Sequence, residues 1–178
     1  MKKAVYILSS IFFIFLTTSC EDDDPGCAGV DCLPPATTTG AGTFGCLVNG
    51  EPFVDDSGNF NCFYQLVDGE YFFNICGLDE SGVVSDICLR TNQREIGTNQ
   101  SHNIESNDVG NFFVSIAVDN DGLRFFDSSS TTNGSITFIE FTTNSNIVSA
   151  TFEFTVIDPE TGTIYEITDG RFDAVFTQ

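Results

Sequence analysis

Val148-Ser149-Ala150-Thr151-Phe152-Glu153-Phe154-Thr155-Val156 decides the fold. As an extended chain, it turns Val148, Ala150, Phe152, Phe154 and Val156 to one side and Ser149, Thr151, Glu153 and Thr155 to the other. A period of two over this length marks a half-buried antiparallel strand. Phe112, Val114, Ile116 and Val118 repeat the pattern, as do Phe172, Ala174 and Phe176 near the end. No segment of the body carries a helical period.

Turn signals separate the apolar runs: Asn49-Gly50, Ser57-Gly58-Asn59, Asp68-Gly69, Asp79-Glu80-Ser81-Gly82, Asn120-Asp121-Gly122, Asn133-Gly134, Asp158-Pro159-Glu160-Thr161-Gly162 and Asp169-Gly170. Asn-Gly and Asp-Gly suit the positive-φ positions of tight hairpins. Asp158 to Gly162 fits a type I turn closed by a glycine bulge. The spacing predicts strands over 43–48, 51–55, 60–67, 71–77, 83–91, 111–118, 122–127, 135–141, 147–157 and 163–176. Residues 92–110 are polar and irregular and read as a long surface loop. The expected fold is therefore all-β: a single antiparallel β-sandwich, with a closed lipocalin-like barrel as the alternative. Of the chain's 19 Phe, all but three lie beyond residue 20, and each one buried contributes about 1.5–3 kcal/mol.

The chain has 178 residues, enough for one domain, with six Lys+Arg against 26 Asp+Glu and a net charge of −20. That imbalance excludes nucleic acid as a partner, because a polyanion needs a basic footprint. It also excludes a polybasic hold on anionic lipid.

The first residues read as an address. Met1-Lys2-Lys3 is a short positive start, Ala4 to Leu16 is apolar, and Thr17-Thr18-Ser19-Cys20 follows. This is the pattern of a secretory signal, too short for the ~20 residues of a spanning helix. Its end resembles a bacterial lipobox, with Thr17 where an aliphatic residue is usual, so Cys20 is the expected lipidation site. Removal of 1–19 discards both lysines, leaving Arg90, Arg94, Arg124 and Arg171 as the cations. Acyl chains then hold the protein at the membrane at about 0.8 kcal/mol per buried CH₂. Glu21, Asp22, Asp23 and Asp24 form a solvated acidic run. With Cys20 they also resemble the export signal that sends lipoproteins of the Bacteroidota to the outer face of the outer membrane. Residues 20–42 read as an acidic, Pro/Thr/Gly-rich tether, and 43–178 as the domain.

Setting Cys20 aside, six cysteines remain: Cys27, Cys32, Cys46, Cys62, Cys76 and Cys88. An even number in an exported chain suggests disulfides, with fifteen connectivities. Cys27 and Cys32 are close enough for a local bridge; the other four cannot be paired from sequence. Zinc would need CxxC-type pairs or Cys/His clusters, which are absent.

The sequence carries no catalytic motif. The single histidine, His102, reads as a surface loop residue, and no serine sits in a Gly-x-Ser-x-Gly elbow. Asp169, Arg171 and Asp173 read as a turn and a solvent-facing edge. Calcium is the one cofactor with candidate ligands: Asp119, Asp121 and Asp127, with Asp55-Asp56-Ser57-Gly58-Asn59 as a second oxygen-rich loop. Both sites are hairpin turns first, and Asp119-x-Asp121-Gly122 has its glycine in the wrong place for an EF-hand loop and no closing Glu. Tyr64, Tyr71 and Tyr165 could stack on a sugar, but aromatics at strand spacing are more often core.

Gly42-Thr43-Phe44-Gly45-Cys46-Leu47-Val48-Asn49-Gly50-Glu51-Pro52-Phe53-Val54 resembles the opening of an uncharacterised β-rich lipoprotein family of the Bacteroidota. Ser149 to Thr155, followed by Ile167 to Phe176, resembles that family's ending. Ala150 departs from its usual small-Gly-Thr-Phe lead, and the middle of the chain matches loosely. The resemblance implies an all-β lipoprotein domain and brings no activity and no catalytic residue. The expected protein is thus a lipid-anchored, surface-displayed, non-enzymatic binding or structural module, its protein or glycan partner unnamed. The alternatives are a surface-polymer hydrolase and a barrel holding a small apolar ligand.

Overall fold

The computed structural model describes residues 27–178 except 59, 60, 121 and 130. The expected signal peptide, Cys20 and the acidic run Glu21, Asp22, Asp23 and Asp24 lie outside the described residues. A 3-10 turn, Gly29–Cys32, precedes β1 (Thr43–Val48), β2 (Glu51–Val54), β3 (Asn61–Val67), β4 (Glu70–Leu78), β5 (Val84–Thr91) and β6 (Ser101–Asn103). Then come β7 (Phe112–Asp119), β8 (Leu123–Asp127), β9 (Asn133–Thr142), β10 (Ile147–Ile157) and β11 (Ile164–Val175).

Ten strands fall where the alternation places them; β6 is the addition. They form two antiparallel sheets, one ordered β2-β1-β11-β10-β9-β6 and the other β3-β4-β5-β7-β8. Both sheets are open, so this is a sandwich and the barrel alternative falls. The edges of the six-stranded sheet are short or broken: β2 has four residues with Pro52 among them, and β6 has three. Both features suit strands that must not pair further.

The inner faces meet over interleaved rings. Phe44 lies 5.4 Å from Phe152, Phe73 lies 5.6 Å from Phe138, and Phe141 stacks on Phe176 at 5.3 Å. Gly77 is required by this packing, since a Cβ there would fall inside the ring of Phe44.

Residues 92–110 correct the sequence reading. This stretch is a crossover rather than a surface loop: it leaves β5, pairs β6 with β9, and returns beside β7 through the Ile104–Phe112 bridge. Ile96 and Ile104 are buried. Three apolar or aromatic contacts spread over nineteen residues make no detectable period. His102 is corrected with it: only 8% exposed, its ring lies nearly parallel to Phe112 at 6.1 Å and edge-on to Phe138. Neither ring nitrogen has a hydrogen-bond partner among the described residues.

Two turn signals also resolve differently. Asn133-Gly134 opens β9, and Asp169-Gly170 lies inside β11, where the β10–β11 register shifts. Asp169, at φ 53°, serves a bulge rather than a turn, since both need positive φ, whereas Gly134 lets the backbone pass close to Phe154, against which a Cβ at 134 would clash. The β9–β10 reversal instead falls at 143–146, with Asn146 at φ 55°.

The second half of the expected tether lies against the domain. Thr37 Oγ1, Thr39 N, Thr39 Oγ1 and Gly40 N all donate to the carboxylate of Asp173, at 2.6–3.1 Å. Asp173 was expected on a solvent-facing edge and is instead buried, as is its register partner Ser149. Both alternate outward, and residues 37–42 cover Asp173. At the other end of the chain, Thr177 bonds both ways with β3, through Tyr64 N and Cys62 O. The C-terminal residues therefore strap one sheet to the edge of the other.

Candidate functional site

Four reversals meet at one end of the sandwich: the β1–β2, β4–β5, β7–β8 and β10–β11 turns. Between them opens a cleft of about 440 Å³, within the size range of small-molecule sites. Val48, Pro52, Phe53, Val83, Val84 and Tyr165 form its apolar walls, and Asn49, Glu51, Asp79, Asn120 and Thr163 its polar lining.

Local chemistry sets each part. Asn49 and Gly50, at φ 52° and 86°, make the tight turn their sequence predicts, placing Val48 and Phe53 on the same side of the hairpin. Asp79 follows β4 and caps the next turn: its Oδ1 accepts from Ser81 N (2.9 Å), Ser81 Oγ (2.6 Å) and Gly82 N (3.2 Å). This is an Asx turn, and it fixes the carboxylate. Asp79 is buried, yet its Oδ2 accepts no hydrogen bond from a described residue. Gly82 fits the turn closely: a Cβ there would meet Val84 O at 3.0 Å, with Asp79 Oδ2 at 3.6 Å.

Behind the cleft, Arg124 of β8 reaches across to Asp158 of the β10–β11 turn, with Nη2 at 2.9 Å from Oδ2. Burial works to raise the Asp158 pKa. Bonds from Glu160 and Thr161, with Arg124, outweigh it and hold the carboxyl below its ordinary value. Gly162 at φ 74° closes this turn, as the Asp-Pro-Glu-Thr-Gly pattern predicts. Tyr165 packs near Phe126 at 6.3 Å. Its phenol is pushed up by burial, then by the Asp158 charge, with Arg124 opposing. Cys46 is buried beside Phe53; burial first and the Asp79 carboxylate second raise its pKa well above the ordinary thiol range, so it stays protonated.

The other expected residues sit elsewhere. Cys27 and Cys32 are bridged as their spacing suggested, and Cys76–Cys88 is a second disulfide across β4 and β5. Cys46 and Cys62 are free and buried. Cys76, Cys88 and Asp86 offer ligand atoms within 4.8 Å of one another, but sulfurs joined in a disulfide are not thiolate ligands. Asp119 pairs with Leu123 at one end of the β7–β8 hairpin and Asp127 with Ser115 at the other, so the register keeps them apart. Asp121 lies outside the described residues. Asp127 accepts from Ser115 Oγ at 2.6 Å, and Asp55 from Ser57 Oγ and Leu78 N.

Tyr64 and Tyr71 stack on each other at 4.7 Å at the core rather than on the surface. The outer face of the five-stranded sheet carries a shallow hollow with Phe63, Phe72, Phe113, Asn74 and Arg90. The outer face of the six-stranded sheet carries an open polar trough beside Val30 and Ala36, lined by Ser135, Thr137, Thr151, Glu153 and Arg171.

Sequence reasoning found the turns that build the end cleft but not the cleft itself. Its walls come from four segments far apart in the chain, and nothing local marks their convergence.

The molecule is thus an open β-sandwich with an apolar, carboxylate-bearing cleft at one end. Comparison with known protein families, curated proteins and solved structures finds no match.

Proposed function

We propose that this protein is a lipid-anchored, surface-displayed, non-enzymatic binding module whose ligand seat is the end cleft. One observation carries the reading: the cleft joins apolar walls (Val48, Pro52, Phe53, Val83, Val84, Tyr165) to a few fixed polar groups. That is the make-up of small-molecule sites. The Asp79 carboxylate is fixed through its Oδ1 by three turn bonds, which suits orienting a ligand at the other oxygen.

The anchor is Cys20, with Glu21 to Asp24 directing display on the outer face of the outer membrane. The acidic body is repelled by anionic head groups while the acyl chains hold it near. The sequence resemblance to β-rich lipoproteins of the Bacteroidota supports the same address.

Two measurements test this. Radiolabelled palmitate should enter the full chain and be lost in Cys20→Ala; label that survives the substitution overturns the anchor. Benzyl alcohol, a neutral probe, should raise the Tm of the full chain saturably. Val83 is an exposed residue at the cleft mouth, so Val83→Trp should plug the cleft without disturbing the core and abolish that rise. An equal response from both chains, or none from either to benzyl alcohol or to benzylammonium, overturns the cleft as a seat.

A further inference from the structure

We infer that the end cleft selects small organic cations, an ammonium group carried on an aromatic or alkyl body; this rests on the cleft being a ligand seat. Three independent features point to that class.

The first is charge. The charged side chains that line the cleft are Glu51 and Asp79, both acidic, and no Lys or Arg is among the described lining residues. The cation behind the wall, Arg124, is neutralised by Asp158 at 2.9 Å. An anionic ligand would meet repulsion, and a neutral one could gain a hydrogen bond from the carboxylates but no ion pair. Strongly buried carboxylates are costly unless they are paired or bonded.

The second is the state of Asp79. It is 7% exposed, and its Oδ1 holds every hydrogen bond it receives from described residues. Oδ2 is left without a hydrogen bond, in a residue that lines the cleft together with Gly82. The Asx turn thus prepays the orientation of a carboxylate whose second oxygen has no internal use. A charge-assisted N⁺–H···O⁻ bond to that oxygen is about twice as strong as a neutral one and adds the ion pair.

The third is the aromatic walls. Phe53 and Tyr165 both line the cleft. The face of an aromatic ring attracts a cation and equally accepts an apolar body. Carboxylates and aromatic side chains lining one cavity are complementary to an ammonium group with hydrocarbon attached.

The test uses three isosteres on the full chain by calorimetry: benzylammonium, benzyl alcohol and benzoate. Benzylammonium should bind about tenfold or more tighter than benzyl alcohol, with benzoate weakest. Asp79→Asn keeps an oxygen for the Asx turn and loses the charge, so the ammonium should then fall to within about twofold of the alcohol. Glu51→Gln, an exposed change, should narrow the gap partly and serves as a second variant if Asp79→Asn unfolds. Equal binding of alcohol and ammonium by the native chain overturns the cation class while leaving the seat. A preference that survives both substitutions together also overturns it. Failure of all three compounds to bind overturns the seat itself.

Discussion

At Asp173 one carboxylate gathers four donors from a stretch more than 130 residues away. Burial works to raise its pKa, but the bonds from Thr37, Thr39, Gly40 and Ala41 outweigh it and hold the carboxyl below its ordinary 3.8. A carboxylate depressed in the fold contributes stability above its unfolded pKa and loses it as pH falls through the folded value. Asp173→Ala leaves buried backbone donors without a partner and should cost about 2–4 kcal/mol. Faster amide exchange at Thr39 and Gly40 would locate the loss. His102 is the opposite case, a polar ring whose nitrogens the fold leaves unpaired. Burial, then the Arg94 charge, depress its pKa below the ordinary 6.5. The fold therefore prefers the neutral ring, and stability should decline as pH drops below 6.5 toward the folded value. His102→Phe should remove that slope and be neutral or stabilising by about 1 kcal/mol, read from denaturant melts at pH 7 and pH 5. Neither role was legible locally. Asp173 sits in a plain period-two strand, and His102 in a polar run, and each is decided by what packs over it.

Among the elements, the ten strands read from alternation are present because half-buried strands must alternate, and the same constraint names their inward faces. The eleventh, β6, escaped because three residues cannot display a period. The cross-strand bridge Cys76–Cys88 closes a short loop between β4 and β5. Sequence left it among several pairings, since only the strand register sets Cys76 opposite Cys88. By loop-closure entropy, Cys76→Ser with Cys88→Ser should cost about 2–3 kcal/mol, measured as a shift in denaturant midpoint at unchanged m. The C-terminal strap makes a further expectation at this scale. Phe176 is buried between Phe141 and Tyr64, and Thr177 covers the β3 edge. Removing residues 176–178 should cost about 3–5 kcal/mol, as loss of a core Phe does, and expose β3 to intermolecular pairing. Light scattering on warming would report the pairing.

The whole molecule is governed by its charge. Four arginines face the acids of the described body, and one of them is committed to Asp158. A surplus of one sign destabilises the compact state through self-repulsion, and salt screens it over a Debye length of about 8–10 Å. Raising sodium chloride from 10 mM to about 500 mM should therefore raise Tm; a flat or falling Tm would show the charges too dispersed to matter. Acidification first relieves that repulsion. It then unlocks Asp173 and Asp158, whose depressed pKa values withdraw their contribution below the ordinary 3.8. What the sequence by itself determined is the class: strand positions, inward faces, most hairpins, the Cys27–Cys32 bridge and the acidic balance. These depend on period, turn chemistry and composition, which are properties of neighbouring residues. Only the tertiary structure decided sandwich over barrel, the Cys76–Cys88 pair, the burial of Asp173 and His102, and the end cleft. Each of those depends on which distant strands lie side by side, and a period of two names a strand's face without naming the partner that covers it.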